Sequence, residues 1–586
     1  TLSTDIATGT TQTVAGVLNG AAAFSKAGAG TLMFTGGSAY TGGTTISAGT
    51  VHVGNGGTTG NLGTGTITNN ATLIYKRSDS FGVADVIAGT GVLRQEGTGT
   101  LTLSGTNTYT GATTVNSGTL AISSDANLGT APSSAQTNQL VVNSGAGLYF
   151  YPVFTGSLNA NRGITLTGST TFTTATGSAV TYAGIVAGTG SLTKAGAGTL
   201  ILNGTNTYAA TTVSAGTLQI GAGSTTGSLG AGAVTNSAAL VFSRSDNTTV
   251  ANAISGTGTL SKLGSNTLTL TGLQTYTGST ATGSATGALV FVNDAAPTTS
   301  GFTGAGFVRI EPVSAGFTSA ITTNYTYANT LTGLTLGNTG NTQSMTVGTA
   351  VTITGPITVY GGSVTTSAAL ESTASGQGLL LKALGKVTSG ANLTTNGGDI
   401  TLWANSAGAA TGGIVVNNGT TLSSGGGWIT LGGSVGSISG LPATSALGTA
   451  LPQGYAKNAN TVTGLSLGSS VAAIPQTANI TLNTGGGRLG LAGESSVYGL
   501  SGSDRISFGL VAYNGVNIDT GSGDLVAYGL TSGTPSGGNS FTAALQLQPW
   551  ASTQSTGSVW KTNGGNIVLT GLSTASGSAE SGRGVI

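Results

Sequence analysis

Cysteine is absent from all 586 residues, histidine occurs once, and only 5 % of the chain is charged. Without cysteine there can be no disulfide framework and no thiolate metal site, which fits a secreted chain that crosses membranes unfolded. His52, the lone imidazole, has too few partners for a zinc-type site, so no metal or cofactor is expected. Sixteen Lys and Arg against fifteen Asp and Glu leave a net charge of +1. That balance lacks the electrostatic footprint a nucleic-acid or anionic-membrane partner requires. No apolar run reaches 18 residues, so no transmembrane helix is expected. The chain opens on Thr1 with no charged and apolar leader, and is expected to be processed or partial. Proline is scarce as well, and eight of its ten occurrences lie from Pro297 onward.

What fills the sequence is glycine, 104 residues of it, together with Thr, Ser, Asn and an apolar share of 38 %. A nearly neutral chain rich in Thr, Val, Leu and Ile reads as folded β structure and not as disorder. The stretch Gly97 to Leu120 recurs at Gly28 to Val51, at Gly196 to Leu218 and, shortened, from Gly264. Its anchors are spaced regularly: Leu32, Val51, Leu73, Leu93 and Leu101 follow at steps of 19, 22, 20 and 8, and Leu200, Leu218, Leu240, Leu260 and Leu268 at 18, 22, 20 and 8. Self-similarity of this kind marks a solenoid that grows by adding rungs. The interval from Leu101 to Leu200 is 30 residues longer than one unit of 69, room for a further rung around Leu148-Tyr149-Phe150-Tyr151-Pro152. Apolar residues alternate within each unit, as at Leu101 and Leu103, which predicts half-buried strands and no helices. Gly105 to Gly111 is expected to be a turn whose Gly and Asn supply left-handed backbone angles.

A second motif begins at Thr395 (TNGGDITL) and returns at Ser424, Thr484, Thr520 and Thr562. After its glycines come Asp399, Trp428, Arg488, Asp524 and Asn566, a set no common dry pocket would accept, so this position is expected to face solvent. Ile400, Ile429, Leu489, Leu525 and Ile567 follow and should face the core. Between copies, Gly440 to Gly464 and Gly533 to Trp560 carry prolines and are expected to protrude as loops. The expected fold is all-β: a parallel β-solenoid forming an elongated rod. Three regions are expected, 1–290 with the first motif, 291–390 as a divergent solenoid junction, and 391–586 with the Gly-Gly motif and its loops.

The first motif, Gly99 to Gly111 (GTLTLSGTNTYTG) with Asn252 to Leu260 upstream of another copy, closely resembles the passenger-associated β-strand repeat of bacterial autotransporters. The second is similar to the repeats of filamentous-haemagglutinin-type exoproteins. These resemblances imply a right-handed parallel β-helix secreted to the cell surface of a Gram-negative bacterium. They also imply a non-enzymatic adhesive, biofilm or scaffold role, although the C-terminal translocator barrel of an autotransporter is missing. The implied partners are a host, neighbouring-cell or matrix surface, glycan or protein, and identical copies if the chain is instead the subunit of a filament, sheath or surface layer.

A polysaccharide-degrading β-helix enzyme is the remaining alternative, and it needs paired acids. The nearest candidates are Asp504-Arg505 and Asp519 with Asp524, which read more simply as solvated turn charges. Gly425-Gly426-Gly427 lacks the lysine and helix of a phosphate loop and reads as a turn. Arg77 with Asp79 and Arg244 with Asp246 read as exposed ion pairs. All four tryptophans lie after residue 400; Trp428, Trp550 and Trp560 are the candidate surface-binding residues, since an exposed indole can stack on a sugar.

Overall fold

Alternating sequence produces alternating burial. Thr31–Phe34, Thr50–Val53, Thr100–Leu103 and Thr199–Leu202 each bury every second residue and turn Thr outward. The computed structural model describes residues 1–406, 411–434, 456–458, 463–467, 478–496, 504–513, 515–532, 539–546, 559–573 and 581–585. Among them the one helical segment is a 3-10 turn, Asp125–Leu128. Two units form: residues 1–268 with 275–278, and 269–274 with 279–586. Each is a parallel β-solenoid.

In the first unit, strands pair in parallel with strands about one rung away, and the anchor residues stack. Leu32 lies in register with Val51, Val51 with Leu73, and Leu73 with Leu93; likewise Leu200 with Leu218, Leu240 and Leu260. All eight are at most 1 % exposed. The step of 8 has a different meaning. Leu101 is in register with Phe81 and Leu120, in another sheet. The unit of 69 residues is therefore three rungs plus one further side.

Each rung has three sides. Phe24–Ala27 belongs to the first, Thr31–Phe34 to the second and Thr100–Leu103 to the third. Thr155–Leu158, between the third-side strand Gly147–Phe150 and the second-side strand Arg162–Leu166, takes the first-side place, and its sheet includes Thr199–Leu202. Leu32, Leu101 and Leu200 thus occupy the second, third and first sides in turn. The 30 surplus residues form the additional rung: Leu101, Leu120, Leu148 and Phe172 stack before the strand Ser191–Ala195.

Gly105 to Gly111 differs from expectation. Neither glycine has a positive φ; a Cβ on Gly111 would lie 2.1 Å from the carbonyl oxygen of Gly91, so glycine is needed for close approach between rungs. Asn107 and Tyr109 point inward. Asn107 Oδ1 accepts the Ile87 amide at 2.8 Å, and Tyr109, fully buried, pairs with Thr113 Oγ1 at 2.8 Å. The Tyr-to-Thr pair recurs at Tyr40 with Thr44 and Tyr208 with Thr211, so this segment is part of the core and satisfies its own buried hydroxyls.

In the second unit, Ile400, Ile429, Leu489, Leu525 and Ile567 stack in register. Their threonines and serine form an internal ladder. Ser424 Oγ donates to Gly427 O in its own turn and to Thr484 O in the next rung, and Thr484 repeats the pattern with Gly487 O and Thr520 O. Gly426 and Gly486 have φ of 119°, available to glycine alone, while the following glycines, Gly427 and Gly487, stack so closely that no Cβ fits.

The expectation that the next position faces solvent fails at Asp399, which is 2 % exposed. Its Oδ1 accepts the Trp428 amide at 2.9 Å, and Asp524 Oδ1 accepts the Asn566 amide at 2.8 Å. The side chain lies along the stack, and the next rung supplies its donor. The proline-bearing loops expected between copies lie largely outside the described residues.

Candidate functional site

The described tryptophans, Trp403, Trp428 and Trp560, occupy different places in the second unit. Trp428 is half-buried, and its amide is held by Asp399. Trp560 is half-buried in a strand where it stacks on Ile518, itself 1 % exposed, so it faces inward. Trp550 lies outside the described residues. Trp403 donates through Nε1 to Ser434 Oγ at 2.8 Å and carries the Lys382 ammonium 3.8 Å above its ring. These partners occupy the indole.

The acids are dispersed as well. Asp519 pairs with Lys561 at 2.8 Å and accepts the Gly521 amide, which holds its carboxyl below the usual carboxylate range. Asp524 is engaged with Asn566, and the side chains of Asp504 and Arg505 lie outside the described ones. No group of three or more His, Asp or Glu able to hold a metal occurs among the described residues. His52 stands between Met33 and Ile74 in an outward register position, half-buried, and burial pushes its pKa down.

The Arg-Asp motifs are more than surface pairs. Arg77 grips Asp79 with two bonds of 2.9 and 2.7 Å, donates to Gly60 O at 2.6 Å and lies 4.4 Å over Phe81. Arg244 repeats this on Asp246, Gly227 O and Thr225 O. Each guanidinium closes a Thr-Thr-Gly loop, a structural duty.

Buried cations were not foreseen. Lys26, Lys194 and Lys262 are 0 % exposed at equivalent inward positions, and Gln95 takes the same place at 2 %. Lys194 Nζ donates to the carbonyls of Ala195, Gly196 and Ala215 at 2.7 to 2.9 Å, satisfying a glycine-rich turn from inside; burial pushes its pKa down to about 8. The signal was parity: two residues after the inward Phe24, Leu93, Leu192 or Leu260, a side chain must also point in. Arg162, 2 % exposed, meets Asp125 at 2.9 Å in the additional rung.

An open concave feature lies on the third side of that same rung. Outward positions form a hydroxyl column in which Thr100 and Thr119 precede Gly147, and Thr171, Thr193, Thr212 and Thr235 follow. At Gly147 the column is notched, and a groove of about 560 Å³ opens there, bordered by Thr98, Ser117, Thr119, Ser144, Thr171 and Thr173. No charged side chain borders it. Tyr149 is in register with Thr173 of its border, and Tyr151 packs against the Tyr149 ring.

The recurrence of the first motif is matched by a known family. Residues 24–53, 93–122, 192–220 and 260–281 match the passenger-associated-transport-repeat family. Four segments of this chain are therefore similar to passenger repeats. Each passenger repeat begins on the inward residue that precedes the buried Lys or Gln, and successive repeats begin on the first, second, third and again first side. A stretch of 181 residues is 34 % identical to the adhesin BmaC autotransporter of Brucella suis biovar 1 (strain 1330), covering 31 % of this chain and 5 % of that protein. No solved structure matches the chain significantly. The passenger repeats and this similarity support an autotransporter passenger. No helix among the described residues is long and apolar enough to cross a membrane.

Proposed function

We propose that the chain is a non-enzymatic adhesive passenger, carried outside a Gram-negative bacterium, that presents the sides of its solenoids to a host, neighbouring-cell or matrix surface. The observation that carries this reading is the stacking of passenger-like repeats into the core of the first unit, together with the likeness of part of the chain to part of an adhesin. A core built from stacked Leu, Val and Thr supports a long outward surface at low charge, and repulsion between copies of a chain of net charge +1 is small. Asp519 and Asp524, the described candidates among the acids, are each engaged by a structural partner, which supports a role without catalysis. We read the Gly-Gly rungs after residue 391 as a filamentous-haemagglutinin-type continuation, supported by their regular register, and 291–390 as the junction.

Beads coated with the folded chain should adhere to epithelial cells or matrix more than beads coated with an unrelated β-solenoid. Equal adhesion of the two would overturn the reading. Ordered polymers of the purified chain in electron micrographs, with no such adhesion, would replace it by a filament or surface-layer role.

A further inference from the structure

We propose that the notch at Gly147 and the tyrosines beside it form a binding site for an uncharged oligosaccharide; this rests on the adhesive reading and names its ligand class. The first argument is the border. Hydroxyls of Thr98, Thr119, Ser144, Thr171 and Thr173 border the groove and no charge does, which suits a ligand of many neutral hydroxyls and disfavours sialic or uronic acids.

A second argument is the aromatic pair. Tyr149 projects outward from the strand Gly147–Phe150, and Tyr151 follows it in the next outward position. Their rings meet edge to face, with centroids 5.1 Å apart at 84°. Tyr151 OH reaches back two rungs to Thr102 Oγ1 at 3.3 Å. Ala121, between Thr102 and Tyr149 in this outward column, is 0 % exposed, so the aromatic side chains cover it. Both rings are thus held in place before any ligand arrives, and a fixed half-exposed ring offers an apolar face to a pyranose at little entropic cost.

The site also has a reason to exist where it does. Gly147 removes the side chain that the hydroxyl column would otherwise carry, and Gly145, with φ of 79° and nothing within 4 Å of a Cβ, keeps the adjoining turn bare. Gly147 and the tyrosines belong to the additional rung, which the regular unit does not supply.

The experiment applies the whole chain to an array of neutral and acidic glycans, beside Tyr149→Ala, Tyr151→Ala and Trp428→Ala, each checked by circular dichroism for native β content. The chain should bind neutral glycans, each Tyr variant should lose about tenfold or more in affinity, and Trp428→Ala should bind like the parent. Tyr151→Phe, which keeps the ring and loses only the Thr102 bond, should retain most binding. Binding confined to acidic glycans, no binding at all, or folded Tyr variants that bind as the parent would overturn the proposal. Bead adhesion separates the two readings: adhesion undiminished in a folded double Tyr variant sinks the saccharide site alone, whereas a parent chain that never adheres sinks the adhesive reading.

Discussion

Gly487→Ala should break the second unit locally. An ideal Cβ there lies 2.0 Å from Gly427 O, 2.5 Å from Gly427 C and 2.7 Å from Gly426 O. Real Cβ atoms do not approach within 3.0 Å, so the two rungs must separate by about 1 Å at this corner. The obstacle is backbone on both sides and cannot rotate away. Separation strains the Gly426 amide to Thr484 O bond of 2.6 Å and the Ile429 amide to Arg488 O bond of 2.9 Å. Overpacking of about 1–3 kcal/mol plus about 1 kcal/mol for each weakened bond gives a loss on the order of 3–5 kcal/mol. Because solenoid rungs contact only their neighbours, the damage should stay near residues 421–434 and 480–496. Amide exchange followed by mass spectrometry reads this directly, with those peptides deprotected and peptides of residues 100–122 unchanged. Gly340→Ala, where the nearest atom to a Cβ is Asn338 Oδ1 at 3.6 Å, is the control. Protection equal to that of the control would refute the stacked-glycine reasoning.

Lys194→Met should leave the carbonyls of Ala195, Gly196 and Ala215 without their donor and destabilise the surrounding rungs by about 2–4 kcal/mol, measured as lost exchange protection. The parent Lys194 should resist amine acylation until denaturant unfolds the first unit. Because burial lowers this ammonium to about 8 from its ordinary 10.5, an unfolded chain binds the proton more readily than the native one between those values. Its contribution to stability should therefore be flat below pH 8 and rise by up to about 3 kcal/mol toward pH 10.5 in denaturant titrations; a fall over that window would contradict the assignment. Arg244→Lys forfeits the two-bond grip on Asp246 and the Thr225 and Gly227 carbonyl bonds, so proteolysis should open the loop of residues 221–227 while the Arg77 loop stays intact as an internal control. Thr484→Val should cost about 1–3 kcal/mol by removing the hydroxyl shared between Gly487 O and Thr520 O, with Thr484→Ser largely restoring stability in the same titration.

The repeat spacing was enough to identify the stacked anchors, because a solenoid aligns equivalent residues and Leu32, Val51, Leu73 and Leu93 could be aligned by counting. The inward lysines were harder to read. Charge suggests an outward side chain, and only the parity of Phe24-Ser25-Lys26 contradicts it. Asp399 misled for the related reason that its partner, the Trp428 amide, is 29 residues distant in sequence and adjacent only after winding. The surface-binding candidates were chosen by residue type, yet of these Trp560 stacks on the buried Ile518 and faces inward, and Trp550 lies outside the described residues. Tyr149 and Tyr151 stood in a segment read correctly as a further rung but not as a site; two outward aromatics flanking Phe150, just after a glycine that interrupts a threonine column, were the available clue.

The fractional advance of the passenger unit has a genetic corollary. A crossover between homologous copies would remove a whole number of units, and each loss would shift the later rungs of the first unit to the adjacent side. Such a chain would still close its core, since the stacked anchors of every side are apolar. An outward feature carried on a later rung would then point elsewhere, so copy number itself becomes a heritable dial for the direction in which the rungs display their outward side chains.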